Sequence, residues 1–134
     1  VTINSTLTIT GTLTLATLGD VIFNGTAGWT CANLIVSTGN KIITLQQLIT
    51  YFTTFSVSLI GGNTAPITMT SSSASLRANW ILTPAASQVM AYVNGTRIDS
   101  SAGQTIWPYE GVLTDTINWY KLLPPSQISF MYIG

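Results

Sequence analysis

Asp20, Asp99, Glu110 and Asp115 are the only carboxylate side chains in this 134-residue chain, and histidine is absent. Without histidine the chain lacks the commonest general base and the commonest metal ligand. A Ser-His-Asp triad cannot be built within it. Glycoside cleavage needs two carboxyl groups held roughly 5–10 Å apart, and Glu110 with Asp115 is the pair to weigh. Their dispersal reads more simply as loop solvation. Cys31 is the single cysteine, so it forms no intrachain disulfide and no zinc site. No Lys or Arg lies close to it in sequence to lower its pKa, and it reads as a small buried apolar residue. Gly61-Gly62 is followed by neither Lys nor a helix start, so it is no phosphate loop. These residues predict no catalytic group, no metal site and no cofactor.

Aromatic side chains are the remaining candidates for binding. Trp107, Tyr109, Trp119 and Tyr120 cluster around the turns at Pro108 and Gly111. Exposed Trp and Tyr can stack on sugar rings, and Arg97 can donate to sugar hydroxyls or a carboxylate. Packing in a core or a trimer interface is the competing reading of the same residues. Trp29 and Trp80 sit in strand-like runs and read as core. Three glycosylation sequons, at Asn4, Asn24 and Asn94, arise readily in a Thr-rich chain; Asn24 and Asn94 are accounted for as turn residues.

Only 6% of residues are charged and the net charge is zero, against about 25% charged in an ordinary domain. No basic field exists to gather nucleic acid or an anionic membrane. No apolar run approaches the roughly 18 residues of a membrane span, which predicts no membrane insertion. A neutral chain that is 46% apolar tends to associate, and an oligomer hides such surface in its interfaces.

The elements that must position these residues read as strands. Val1-Thr2-Ile3, Leu7-Thr8-Ile9 and Leu13-Thr14-Leu15 repeat one apolar-Thr-apolar unit every six residues. Alternation by two marks strand, and recurrence of the unit marks a stacked, fibrous element. Residues 1–27 are therefore predicted as a repetitive β shaft, with Leu7, Ile9, Leu13 and Leu15 lining a core shared between copies. Residues 28–62 are predicted as a connecting segment. Within it Leu45, Leu48, Ile49 and Phe52 fall at i, i+3, i+4 and i+7, and Thr44 and Gln47 have capping-box spacing. That predicts a short helix over 45–54, set against a competing strand reading because Thr, Tyr and Phe are poor helix formers. Leu45, Leu48 and Phe52 would pack it around a symmetry axis. Residues 63–134 are predicted as a head of short strands at 67–70, 79–82, 89–93, 105–107, 116–119 and 128–132, spaced as in a sandwich or small barrel.

The segment Met90-Ala91-Tyr92-Val93-Asn94-Gly95-Thr96-Arg97, then Tyr109-Glu110-Gly111, Thr116-Ile117-Asn118-Trp119 and the closing run Leu123 to Gly134, resembles a small β-domain of bacteriophage tail and head fibres. In that pattern Asn94-Gly95 makes a tight hairpin turn and Pro124-Pro125 leads into a last strand. The run from Thr6 to Leu15 resembles the shafts of viral fibres. Ser126-Gln127 departs from the family's usual acidic residue after the Pro turn. The resemblance implies an all-β fold: an N-terminal intertwined β-helical or β-prism shaft, a short central helix and a C-terminal β-sandwich-like head. It implies a non-enzymatic fibre or spike protein on the virion surface, outside the cell. That protein is a homotrimer that contacts capsid or tail proteins and attaches to a host surface glycan or protein receptor. A secreted bacterial adhesin or a cell-wall or carbohydrate-binding module is the alternative.

Overall fold

The computed structural model describes residues 1–4, 7–16, 19–26 and 28–122. Among them the chain forms twelve strands and no helix. In order these are β1 (Thr2–Ile3), β2 (Thr12–Thr14), β3 (Val21–Phe23), β4 (Thr30–Val36), β5 (Lys41–Leu45), β6 (Thr50–Ile60), β7 (Ile67–Ser71), β8 (Ala78–Leu82), β9 (Ser87–Ala91), β10 (Val93–Thr96), β11 (Ile98–Asp99) and β12 (Leu113–Thr114). One sheet runs β1-β3-β5-β7-β10-β12. The other runs β11-β8-β6-β4-β2, with β9 beside the second half of β6. Every one of these strand pairings is parallel. The chain is thus a parallel β-solenoid: it alternates between two sheets and lays each coil on the one before.

Coil length explains why the repeat is hard to see in the sequence. Residues that meet across successive coils are 20 apart at Asn4–Asn24, 22 at Cys31–Thr53, 26 at Thr68–Asn94 and 18 at Asn94–Val112, the last through the Val112 N–H. Most strands bury alternate side chains, as the period of two requires; β4 and β6 break step together where the register shifts between Cys31 and Asn33. Val21 pairs with Ile43, Ile43 with Met69, Met69 with Gly95 and Gly95 with Leu113, giving one column that faces inward. The outward column beside it carries Thr44, Thr70, Thr96 and Thr114, also in register. In the other sheet Tyr51 pairs with Trp80, and the Trp29 ring lies 5.1 Å from that of Tyr51. Thr and aromatic residues suit such a pleated, half-buried surface.

Several corners are made by single residues in the left-handed region. Tyr92 (φ 54°) turns the chain from β9 into β10, Arg97 (φ 52°) from β10 into β11, and Asp115 (φ 52°) follows β12. A non-glycine residue there costs about 1–2 kcal/mol. The ladders on both sides hold it in place: the Arg97 N–H donates to the Thr114 carbonyl at 2.9 Å, and the Tyr92 N–H to the Tyr109 carbonyl at 2.7 Å.

Several sequence-based expectations are overturned. The short central helix over 45–54 does not form: β5 ends at Leu45, a turn spans 46–49, and β6 begins at Thr50. Leu45 points into the core, Leu48 stands 64% exposed at a left-handed corner (φ 63°), and Phe52 faces outward. Their helical spacing crosses a coil corner and never shares a face. The β-sandwich-like head is replaced by parallel sheets that run unbroken from residue 2 to residue 114. Asn94-Gly95 is not a hairpin turn but the middle of β10, and a Cβ on Gly95 would lie 2.9 Å from the Trp119 ring. The intertwined shaft gives way to a first coil that packs within one chain. Leu15 is buried, and Leu7, Ile9 and Leu13 are half-buried against the same core. The six-residue units do not stack on one another: Thr2-Ile3 pairs with Ile22-Phe23, Thr8 with Thr30, and Thr12 to Thr14 with Asn33 to Ile35, so the layers are coils of one chain. Expected strands at 67–70 and 79–82 coincide with β7 and β8, whereas 105–107 and 116–119 make only isolated bridges, at Ile106, Ile117 and Trp119. The expected strand at 128–132 lies outside the described residues.

Candidate binding surface

Trp107 and Tyr120 are brought together by the solenoid. Ile106 bridges Trp119 in parallel, so the next residue of each segment, Trp107 and Tyr120, projects outward on adjacent coils. Their ring centroids lie 5.6 Å apart with planes inclined by 36°. They stay 46% and 57% exposed. An exposed aromatic pair of this kind is a two-ring surface that can lie against the C–H face of a sugar.

A glutamine ladder fixes the position of Trp107. The Gln88 side-chain oxygen accepts the Trp107 N–H at 2.9 Å, and its amide nitrogen donates to the Gln104 Oε1 at 2.9 Å and the Thr105 carbonyl at 2.7 Å. Gln104 in turn donates to the carbonyls of Thr83 and Ala86 at 2.8 and 2.6 Å. Tyr120 is held by its N–H to the Ile106 carbonyl at 2.9 Å. Asn118, two residues before it, accepts from the Thr105 hydroxyl at 2.9 Å and donates to the Ser100 carbonyl at 3.1 Å. The platform therefore sits on ordered backbone rather than on an open loop.

The other candidates named from sequence lie elsewhere. Trp119 is 4% exposed; its ring packs 5.8 Å from Trp80 and its Nε1 donates to the Ser100 Oγ at 2.9 Å. It belongs to the core. Tyr109 is half-buried and meets Tyr92 edge-on at 6.0 Å. Arg97 serves its corner, and its Nε donates to the Ser73 carbonyl at 2.7 Å.

The four carboxylates each have a local partner. Asp20 accepts the Ile42 N–H at 3.0 Å and Asp99 the Ser101 N–H at 2.9 Å. Asp115 pairs with Arg77, and Glu110 with Lys121 at 3.6 Å. Glu110 and Asp115 stand at the two corners flanking β12, each with a left-handed φ. Among the described residues no three Cys, Asp or Glu side chains come together as a metal site. Cys31 is fully buried, 3.8 Å from the Thr53 hydroxyl. Burial pushes its thiol pKa up, and the Thr53 contact offsets part of that rise. Tyr51 is likewise raised by burial, against a lowering from the Gln46 N–H that it accepts.

Sequence reasoning missed Gln88 and Gln104. Only the tertiary structure, which brings their side chains within hydrogen-bond distance at 2.9 Å, reveals their role. No family model, curated protein or solved structure matches the chain.

Proposed function

We propose that this chain is a non-enzymatic attachment segment of an extracellular fibre or spike, of the kind carried on virions. It contacts a host surface glycan through Trp107 and Tyr120. The observation that carries this reading is the placement of an exposed aromatic pair on the last described coils of a stacked rod. A solenoid is a quasi-one-dimensional stalk in which each layer supports the next, so a binding surface on these coils is held away from the first ones. The local structural contacts made by all four carboxylates support a structural role over a hydrolytic one.

We further propose that three copies associate. Supporting this are the neutral charge and an apolar outer face on the second sheet, where Ile35, Phe52, Phe55, Ile60 and Val89 are exposed, Phe55 at 70%. Three weak sites on one stalk raise avidity without any new contact. Light scattering should then give three times the 14.3 kDa chain mass. A monomer would overturn the trimer and leave the platform untouched. The platform itself is tested by glycan-array binding of the full chain. Trp107→Ala with Tyr120→Ala should weaken the signal at least tenfold. A double variant that binds the same glycans as strongly as the parent would sink the attachment reading.

A further inference from the structure

A second concave surface lies at the coil corners that lead into the first sheet. It is a cleft of about 230 Å³, and Asn63, Tyr92, Asn94, Glu110, Val112 and Lys121 line it. It shares no residue with the Trp107–Tyr120 platform, so it stands whether or not the fibre reading does. We infer that this cleft binds a single neutral pyranose ring through a pair of adjacent hydroxyls.

Size sets the first limit. Sites for drug-sized ligands run to roughly 300–1,000 Å³, and this cleft is smaller. A cleft of this volume seats about one sugar ring.

Chemistry sets the second. Glu110 offers acceptors only, Lys121 donors only, and the amides of Asn63 and Asn94 offer both. A sugar diol presents both donors and acceptors at adjacent carbons. Glu110 and Lys121 are 3.6 Å apart, longer than the roughly 2.7–2.9 Å of a well-formed charged hydrogen bond. Each therefore retains capacity for a hydroxyl between or beside them. Their charges cancel, which favours a neutral ligand over a sialic acid or a phosphate. Exposed Val112 gives apolar surface for the ring's C–H face.

The groups are also fixed before a ligand arrives. Asn94 Oδ1 accepts the Val112 N–H at 2.9 Å, while its Nδ2 reaches only 3.5 Å to the Thr68 hydroxyl. The amide is held by its oxygen with its donor edge lightly used. Tyr92 and Glu110 are coil-corner residues with left-handed backbone, at φ 54° and 51°. Gly111 lets the Glu110 corner approach β10: a Cβ there would sit 1.9 Å from the Val93 carbonyl oxygen. Such preorganisation lowers the ordering cost of binding.

The test is a nitrogen-15 NMR titration of the full chain with the methyl glycosides of glucose, galactose, mannose and fucose, and with a methyl sialoside. At least one neutral glycoside should shift the amides of Asn63, Tyr92, Asn94, Gly111 and Lys121, with a Kd of about 1–20 mM. The sialoside should not. Glu110→Gln removes a charge-assisted acceptor and should weaken binding about tenfold. Asn63→Ala, at an exposed turn, gives a second variant that leaves the coil ladder intact and should weaken binding several-fold. Trp107→Ala with Tyr120→Ala should leave these shifts unchanged. Absence of shifts with every neutral glycoside, shifts confined to the Trp107 and Tyr120 amides, equal binding of the sialoside, or undiminished binding in both cleft variants would each overturn the inference.

Discussion

Gly95→Ala separates a solenoid interior from a hairpin turn. In β10 the residue faces inward, between Met69 and Leu113 on neighbouring strands. The added methyl carbon would lie 2.9 Å from Cε3 and Cζ3 of Trp119 and 3.2 Å from Cγ2 of Thr116, where unstrained carbon contacts are about 3.5–4.0 Å. The indole cannot simply swing aside. Its Nε1 is held by the Ser100 hydroxyl at 2.9 Å and its ring packs on Trp80 at 5.8 Å. Overpacking of this kind costs about 1–3 kcal/mol, and a ring shift that stretches the Ser100 bond adds about 1 kcal/mol. Against this, Ala in a strand loses about 0.5–1 kcal/mol less backbone entropy than Gly. The net expectation is a loss of about 2 kcal/mol. In a Trp119→Leu background the ring contacts are gone and only the 3.2 Å approach to Thr116 remains, so Gly95→Ala should be near neutral, a coupling of about 2 kcal/mol, within the range for residues in contact. Urea denaturation of the four chains, followed by circular dichroism at the strand band, measures this cycle. A glycine needed for left-handed turn geometry would instead cost the same with or without Trp119. Equal penalties in the two backgrounds would refute the reasoning.

Thr53→Val should destabilise by about 1–3 kcal/mol, because it leaves the buried Trp80 Nε1, now 3.1 Å from the Thr53 Oγ1, without an acceptor. Thr53→Ser should recover most of that loss in the same urea assay. Stability should also fall at high pH. Cys31 and Tyr51 both titrate above their ordinary values, 9.0 and 10.0, chiefly because burial penalises their charged forms. Between the unfolded and folded pKa the folded chain holds more protons, so the contribution of these two groups is constant well below 9.0 and is lost as pH rises past 9.0 and then past 10.0. Cys31→Ala should remove the lower part of that decline, which urea midpoints at several alkaline pH values would show.

Local physics made part of this protein legible from its sequence. The alternation of Val21-Ile22-Phe23 and the run Ile67 to Thr70 read as strands, and both form them. The sparse charge and missing histidine narrow the chemistry without any fold. Trp107 and Tyr120 stand out as candidates by composition alone. Three things were decided only by tertiary structure. Parallel and antiparallel strands share the same alternation, so Asn94-Gly95 reads as a hairpin until the pairing of Gly95 with Met69 and Leu113 is known. Leu45, Leu48, Ile49 and Phe52 have helical spacing because a corner interrupts two strands, a break that local pattern cannot show. Trp119 and Tyr120 are adjacent in sequence, yet one is sealed against Gly95 and Trp80 while the other meets Trp107 in solvent. Sequence supplies which residues alternate; the stacking of coils of unequal length decides which side of the sheet is inside and which residues from distant coils meet there.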